Sequence, residues 1–300
     1  MNFQIGLFVP TWKKNYNNVS ASIWIRCFEF AKFLKDQGHK VSINNYFKNY
    51  DFSIVYRECS DVTLLKLKFL KKRSKYIFWD TCVNYLDPHP NNNQKRINIV
   101  KSISGYIDAV ICSSRFIFDR HRAEGYNAIL FEDCIKHCDV KTVKESNMFT
   151  WCGISSKFVS LNKYFSILDG NITVISDKKF KNCITHKFVE WNYNTFFNYT
   201  SSSNIAFLPR DYNNPYDSGH SSYKALCFAA FGVPIISNKL PSYIDLNKRY
   251  DGIFFLEEID YLKEFAFALR NNRFCNKRLL EYYSYSHQSY SLFDFINTYN

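Results

Sequence analysis

Short apolar stretches alternate with amphipathic stretches along most of the chain, and this alternation constrains the fold more than any other feature. The apolar stretch 3–9 is followed by 20–37, where apolar residues recur at helical spacing until Gly38 ends the pattern. Strands and helices that alternate in this way build a parallel sheet covered by helices on both faces. In the first half, strands are predicted at 3–9, 41–43, 51–56, 76–79, 107–112 and 128–131, and helices near 20–37, 61–72, 93–104 and 114–123.

The alternation pauses once and then restarts, which predicts two domains. The pause is the polar stretch 132–147, and we place the boundary so that the domains are 1–145 and 146–300. The last helix is expected to pack back on the first domain. The predicted fold class is therefore α/β, with two Rossmann-like domains facing each other across a cleft. Strands of the second half are predicted at 149–152, 172–175, 186–189, 205–208, 233–237 and 252–256, with helices at 157–168, 221–231 and within 258–296.

Charge and cysteine content exclude some classes of protein. The net charge of +12 attracts phosphates, nucleic acid or an anionic membrane surface. Because the basic residues form no stripe interleaved with aromatic residues, we expect no nucleic-acid partner. The N-terminal apolar stretch is too short for a signal peptide, and no stretch approaches the length needed to span a bilayer. The ten cysteines are dispersed, so the prediction is a cytoplasmic protein with reduced thiols.

The segment 204–245 carries the clearest chemical signal. A strand ends at Pro209–Arg210, a loop of small polar residues follows, and a helix begins near Ser221. The free N–H groups and the dipole of a helix N-terminus bind anions, and a diphosphate fits such a site. An ordinary helix capped by serine remains an alternative interpretation. The residues that would supply caps, close backbone approach or positive charge are Arg210, Ser218, Gly219, His220, Ser221, Ser222 and Lys224.

The same segment resembles a known family. The run from Ser222 through Lys224, 228–230, 232–234 and 241–243 is similar to the donor-site helix and next strand of GT-B glycosyltransferases. Among these, it most resembles the retaining, family-four-like enzymes that make bacterial surface polysaccharides. Other segments resemble the family in the same order along the chain, namely 20–26, 38–41, 75–80, 108–114, 151–153 and 189–191.

The resemblance implies a transferase that moves a sugar from a nucleotide-sugar donor to a glycan or lipid-linked acceptor. It implies retention of configuration, no metal and no cofactor besides the donor, which is a substrate. Arg210, Lys157 and His220 are implied at the phosphate or sugar, and the donor-binding set is Ser218, Gly219, Ser221, Ser222, Lys224 and Cys227. From the first domain, the implied acceptor or cleft residues are Asn17, Arg26 and Asp80. A peripheral contact with an anionic membrane is also compatible with a lipid-linked acceptor.

Two departures from the family support a different hypothesis. Gly219 and Cys227 stand where the family often has glutamates, and the second glutamate usually binds the donor ribose. A non-catalytic sugar- or nucleotide-binding protein of the same fold, or a partner in a polysaccharide-synthesis complex, is therefore the alternative. An NAD-dependent oxidoreductase is disfavoured because Gly6 stands alone after the first strand.

Three further groups of residues are predicted to have structural rather than catalytic roles. The sequence Cys134–Cys138 lacks the second ligand pair of a zinc site, so we predict linker residues and no metal. Asp87–Pro90 is typical of a turn. His121, on a helix with Arg115 and Arg120, is predicted on a solvated face, although that helix could also contact a membrane surface.

Overall fold

The computed structural model describes residues 2–10, 21–57, 59–89, 92–135, 147–179 and 186–298, and the statements below concern these residues. They form two compact units. The first unit comprises Met1–Cys134, Asn213–Ser221 and Tyr283–Asn300, and the second comprises Ile135–Tyr212 and Ser222–Tyr282. The boundary predicted between residues 145 and 146 falls outside the described residues.

The first unit contains a sheet of six parallel strands. The strands are β1 (Gln4–Phe8), β2 (Lys40–Ile43), β3 (Tyr50–Tyr56), β4 (Ser74–Thr81), β5 (Ala109–Cys112) and β6 (Ala128–Leu130). Their spatial order is β2-β1-β3-β4-β5-β6. The chain runs outward from β1 to β2 and then crosses back to β3, so the order reverses between β1 and β3. Open parallel sheets bind ligands at the carboxyl ends of the strands beside such a reversal.

The second unit contains another sheet of six parallel strands. The strands are β7 (Phe149–Cys152), β8 (Ile172–Ser176), β9 (Lys187–Glu190), β10 (Ile205–Leu208), β11 (Ile235–Ser237) and β12 (Ile253–Phe255). Their order, β12-β11-β10-β7-β8-β9, is that of a Rossmann-like sheet. The reversal lies between β7 and β10, which pair directly through Ile205 and Phe149.

Buried apolar side chains explain why these segments form central strands. Phe52 on β3 and Ile77, Phe78 and Trp79 on β4 have no exposed surface. Neighbouring residues of a strand point to opposite faces, so both faces of the first sheet are covered. In the second sheet, all residues of β7, β8, β10 and β11 are buried.

Helices connect the strands of both sheets. In the described residues they are α1 (Ala21–Ile23), α2 (Phe30–Asp36), α3 (Asp61–Leu70), α4 (Gln94–Ile103), α5 (Arg115–Ala123), α6 (Phe158–Asn162), α7 (Phe165–Leu168), α8 (Tyr193–Ser202), α9 (Pro215–Ser218), α10 (Tyr223–Ala229), α11 (Pro241–Asn247), α12 (Leu262–Leu269), α13 (Lys277–Tyr282) and α14 (Tyr285–Thr298). A π-helical stretch, Trp24–Glu29, joins α1 to α2.

The last helix, α14, packs against the first unit. The Tyr285 hydroxyl donates a hydrogen bond to the Ile25 carbonyl at 2.8 Å, and Phe293 stacks on Phe3. The Gln288 side chain accepts a hydrogen bond from the backbone N–H of Glu132 at 2.9 Å. The helix therefore closes the first unit beside the end of β6.

The predicted strands are confirmed, each within two residues at both ends, and so are the two Rossmann-like sheets. The helices differ more. The predicted helix 20–37 contains the π-helical stretch, and the predicted helix 221–231 is reduced to Tyr223–Ala229. The predicted helix 157–168 is divided into two short helices, α6 and α7.

Candidate functional site

The reversal of strand order in the second sheet gathers three cationic side chains. Lys157 follows the carboxyl end of β7, and Arg210 follows that of β10, the strand beside it. Lys224 extends from α10, which follows β10 and the short helix α9. We call this the cationic pocket. It is lined by Trp151, Cys152, Lys157, Ser160, Leu208, Pro209, Arg210, Lys224 and Tyr243.

The Lys224 side chain is half-buried in the cationic pocket. Its ammonium group lies 5.8 Å from the centre of the Trp151 ring, over its face. Burial, together with the positive charges of Arg210 and Lys157, lowers the pKa of Lys224 from 10.5 to about 8. The side chain thus remains mostly protonated at neutral pH, at an energetic cost that a bound anion would remove.

A glycine makes room for this lysine. A Cβ at Gly153 would lie 2.7 Å from two carbons of the Trp151 ring and 3.0 Å from the Lys224 ammonium nitrogen. Contacts this short require the ring or the lysine to move. The sequence Trp151–Gly153 therefore matters for the shape of the pocket, which its strand pattern alone did not indicate.

Arg210 is positioned by two neighbouring elements. Its backbone N–H donates to the Asn238 side-chain oxygen at 2.7 Å, just after β11. Its guanidinium is hydrogen-bonded to Tyr243 of α11. Burial raises the pKa of that phenol to about 12, although the Arg210 charge and hydrogen bond oppose the rise, so Tyr243 stays neutral and holds the guanidinium in place.

The loop 213–221, which contains residues predicted to bind the donor, is part of the first unit. The Asn84 amide donates to the Pro215 carbonyl at 3.1 Å, and the Ser114 hydroxyl donates to the Gly219 carbonyl at 3.1 Å. The Ser221 hydroxyl donates to the Asp133 carboxylate at 2.5 Å. Ser218, Gly219, His220 and Ser221 thus belong to the first unit, whereas Lys157, Arg210, Ser222, Lys224 and Cys227 belong to the second.

Gly219 is closely packed inside the first unit. Its φ is −75°, so the backbone needs no glycine for conformational reasons. A Cβ there would lie 2.7 Å from the Asn84 Cβ and 3.4 Å from Ile117. Glycine at this position allows close approach to another part of the same unit, and its contact with a ligand stays a prediction.

His220 faces a carboxylate that it shares with a second histidine. The Nε2 atoms of His89 and His220 lie 3.5 and 3.4 Å from the two oxygens of Asp217. The His89 ring also stacks on Tyr216, with 4.8 Å between centroids and 9° between planes. This arrangement holds the loop 213–221 on the turn that contains His89.

The N-cap of α10 in the structure differs from the cap that the sequence predicts. Ser222 occupies the N-cap position of α10 without a side-chain cap hydrogen bond, and Ser218 ends α9. Cys227 is fully buried inside α10, so its position favours a packing role over contact with a nucleotide. The proposal of a helix N-terminus as the anion site is weakened, because α10 has only seven residues.

Arg26 and Asp80 form a buried ionic cluster in the first unit. The Arg26 Nε lies 2.8 and 3.0 Å from the Asp80 oxygens, and its NH1 donates to Asp133 and to the Phe131 carbonyl, both at 2.9 Å. Burial raises the pKa of Asp80 to about 6, while the Arg26 charge opposes that rise. The Asp80 carboxylate pairs with Arg26, and the Asp133 carboxylate pairs with Arg26 and Ser221. These contacts indicate a structural role for the cluster. Sequence reasoning missed Asp133.

Arg57 lies where the strand order of the first sheet reverses, and it too was missed. It follows β3 with a left-handed φ of +49°, which is uncommon for a residue with a side chain. Its guanidinium donates to the Ser22 hydroxyl at 3.2 Å. Strained backbone of this kind is found preferentially at functional sites. The signal in the sequence was only its place directly after a strand.

The remaining predicted residues have other positions. Asn17 and the residues 136–138 of the cysteine motif lie outside the described residues. His121 is fully buried, so the prediction of a solvated face was wrong; its Nδ1 lies 2.9 Å from the Ile117 carbonyl, and burial lowers its pKa to about 4. Asp87 is ion-paired with Arg120 at 2.9 Å.

The described residues contain neither a candidate metal site nor a helix that could cross a membrane. In the part of the chain that the structure describes, no group of three or more histidine, cysteine, aspartate or glutamate side chains could hold a metal ion. Across those same residues, no helix has the length and hydropathy required to cross a bilayer.

Comparisons with solved structures identify the fold. No protein-family model matches the sequence, and no curated protein matches it significantly. An α-glucosyltransferase in complex with UDP and DNA is 12% identical, with a TM-score of 0.64, 99% of this chain and 100% of that chain covered. A sucrose-phosphate synthase from Thermosynechococcus elongatus is 10% identical, with a TM-score of 0.64 and 99% of both chains covered. A glycosyltransferase of avilamycin A biosynthesis is 7% identical, with a TM-score of 0.68, 98% of this chain and 97% of that chain covered. At these identities the likeness shows the two Rossmann-like domains of the GT-B fold.

Proposed function

We propose that this protein is a glycosyltransferase that uses a nucleotide-sugar donor, and that the cationic pocket binds the donor's diphosphate. The observation that carries the proposal is the gathering of Lys157, Arg210 and Lys224 where the strand order of a Rossmann-like sheet reverses. A diphosphate is the common group with enough negative charge to compensate such a cluster. The fold shared with several glycosyltransferases agrees with this assignment.

The pocket suits the departure of a nucleoside diphosphate. As the bond to the sugar breaks, negative charge builds on the β-phosphate, and fixed cations stabilise that charge without reorganising. Arg210 is held by Asn238 and Tyr243, so its guanidinium is already oriented before a donor binds. Lys157 and Lys224 add charge from two other elements.

Several finer features are proposed from the family resemblance alone. We expect retention of configuration, a hexose donor, independence of metal ions and a glycan or lipid-linked acceptor in surface polysaccharide synthesis. In a retaining mechanism of this kind the leaving phosphate takes the acceptor's proton, so no protein nucleophile is required. Several solved structures of similar fold contain UDP, which makes UDP the first nucleotide to test.

A binding protein without transferase activity is the second candidate. Cys227, which stands where the family often has a ribose-binding glutamate, is completely buried. In this second candidate, a protein of the same fold binds a nucleotide or sugar but does not catalyse transfer. Binding of a donor without hydrolysis or transfer would favour this candidate.

The decisive experiment measures donor binding and turnover together. UDP, GDP, ADP and CMP are titrated calorimetrically into the full chain with EDTA present, and the matching nucleotide-sugars are assayed for release of nucleotide. One nucleotide is expected to bind, and Arg210→Ala and Lys157→Ala are expected to weaken it about tenfold or more. Lys277→Ala, an exposed lysine on α13 of the same unit, is the control and should bind normally. Absence of binding by every nucleotide, or equal affinity in all variants, would remove the proposal.

A further inference from the structure

Helix α3 has an outward side that is both apolar and basic. Its inward side is anchored by Leu67 and Leu70, which have no exposed surface. Leu65, Lys68 and Phe69 are spaced at i, i+3 and i+4, so they share one face of the helix. All three are exposed. The capping box at Ser60 fixes the start of the helix and therefore the direction of this face.

Large apolar side chains cluster on this surface. Phe47 is 84% exposed, Leu65 is 66% exposed and Phe69 is 40% exposed. The Arg73 guanidinium connects them, because it donates to the Phe47 carbonyl at 2.9 Å and lies 5.0 Å from the centre of the Phe69 ring. A cluster of exposed apolar side chains rimmed by polar groups marks an interaction surface.

The charged side chains that line the groove on this surface are all basic. Lys68, Lys72 and Arg73 line one groove together with Leu65 and Phe69. We define the α3 patch as Phe47, Leu65, Lys68, Phe69, Lys72 and Arg73. It combines three cations with three apolar side chains and contains no carboxylate.

We propose that the α3 patch docks the first unit on an anionic lipid bilayer. Leucine and phenylalanine side chains enter the boundary between headgroups and acyl chains, while lysine and arginine bind the lipid phosphates above it. Each basic residue near an anionic leaflet strengthens the attachment, and the effect decays within a Debye length. The inference goes beyond the proposed transferase activity, because the α3 patch lies in the first unit and shares no residue with the cationic pocket.

Two other occupants fit the patch less well. A nucleic acid offers phosphates to the cations but no apolar medium for Phe47 and Leu65. A second copy of the chain bound through the same patch would bring three cations against three cations, and like charges in close contact repel one another. A bilayer with anionic lipid matches both the charge and the apolar side chains.

The test uses sedimentation of the full chain with vesicles of phosphatidylcholine, with and without phosphatidylglycerol. The protein is expected to bind the anionic vesicles and to remain in solution with the neutral ones. Lys68→Gln/Lys72→Gln should weaken vesicle affinity about 30-fold. The control, Lys263→Gln/Lys277→Gln, removes the same charge from exposed positions of the second unit and should lose much less.

A second variant isolates the apolar contribution. Leu65→Ser/Phe69→Ser keeps every charge and replaces exposed side chains, and thermal melting checks that it folds. Its affinity for anionic vesicles is expected to fall about tenfold, and its residual binding should disappear at high salt. Calorimetric titration of all the variants with UDP should give the affinity of the unchanged protein, so a failure here is separate from a failure of the proposed function.

Five outcomes would overturn the proposal. These are no binding to anionic vesicles, equal loss in the control, or full vesicle affinity in Leu65→Ser/Phe69→Ser. The fourth is a dimer in light scattering that this variant dissociates, which would assign the patch to a second copy. Duplex DNA binding that depends on Lys68 and Lys72, together with full vesicle affinity in their variant, would assign the patch to nucleic acid.

Discussion

Replacing Lys224 by methionine should stabilise the protein at neutral pH while weakening its binding of nucleotide. The ammonium group lies in the cationic pocket beside Arg210 and Lys157, and burial and these charges lower its pKa from 10.5 to about 8. Methionine fills a similar volume without charge. In the Lys224→Met protein, folding therefore no longer places a third positive charge beside Arg210 and Lys157.

The magnitude and its pH dependence follow from proton linkage. The unfolded chain holds the Lys224 proton up to about pH 10.5 and the folded chain up to about pH 8, so stability rises with pH across that window. Below pH 8 the full penalty is present, with an upper limit of about 3 kcal/mol. Because the side chain is only half-buried, solvent screening reduces the expected gain from Lys224→Met to about 1–2 kcal/mol. For a domain of this size that gain corresponds to about 2–8 °C in Tm.

Thermal melts at pH 7 and pH 10.5 test this reasoning, with Lys277→Met as the matched control. The Lys224→Met gain should appear at pH 7 and nearly vanish at pH 10.5, where the folded lysine has lost its charge and the unfolded one is half deprotonated. Affinity for UDP at pH 7 should fall about 10- to 100-fold, because a charge-assisted hydrogen bond is lost. A lower Tm at pH 7, or a gain that persists at pH 10.5, would refute the assigned cause.

Three other substitutions give distinct expected results. Gly153→Ala places a methyl group against Trp151 and should weaken UDP binding about tenfold by calorimetry; Gly105→Ala, which meets no atom within 4 Å, is its control. Gly219→Ala should lower stability by about 1–3 kcal/mol in urea denaturation because its methyl group would clash inside the first unit, with UDP affinity unchanged. A loss of affinity at unchanged stability would support a ligand-contact role. Arg26→Met leaves the Asp80 and Asp133 carboxylates buried without their cation and should lower the free energy of unfolding by about 3–5 kcal/mol in urea denaturation. A loss below about 1 kcal/mol would contradict the structural role of the cluster.

The loop 213–221 shows why the candidate site was only partly predictable. Serine, glycine and histidine just before a predicted helix are typical of an anion site, and nothing local indicates another use. In the structure these residues contact Asn84, Ser114 and Asp133, which lie about 90 to 130 positions earlier in the chain. Such contacts depend on the packing of distant segments, which no local pattern records.

The ionic cluster gives a second example. The family resemblance implied Arg26 and Asp80 as acceptor or cleft residues, but it did not indicate their pairing, which forms where the π-helical stretch buries Arg26. His121 was placed on a solvated face because its neighbours are basic. The side chain is instead covered by Trp79 and Tyr126, which only the assembled sheet brings to it.

By itself, the sequence determined the two α/β repeats and the strands of both sheets, because hydrophobic periodicity is a local property. Arg210 and Lys224 were singled out from their places after a strand and on the next predicted helix, whereas Lys157 was implied only by the family resemblance. The tertiary structure alone decided which of the predicted residues share a pocket. The structure assigns the 213–221 loop to the first unit and the residues of the cationic pocket to the second. This assignment depends on strand order and on the packing of the loop, which are set by burial across the whole chain.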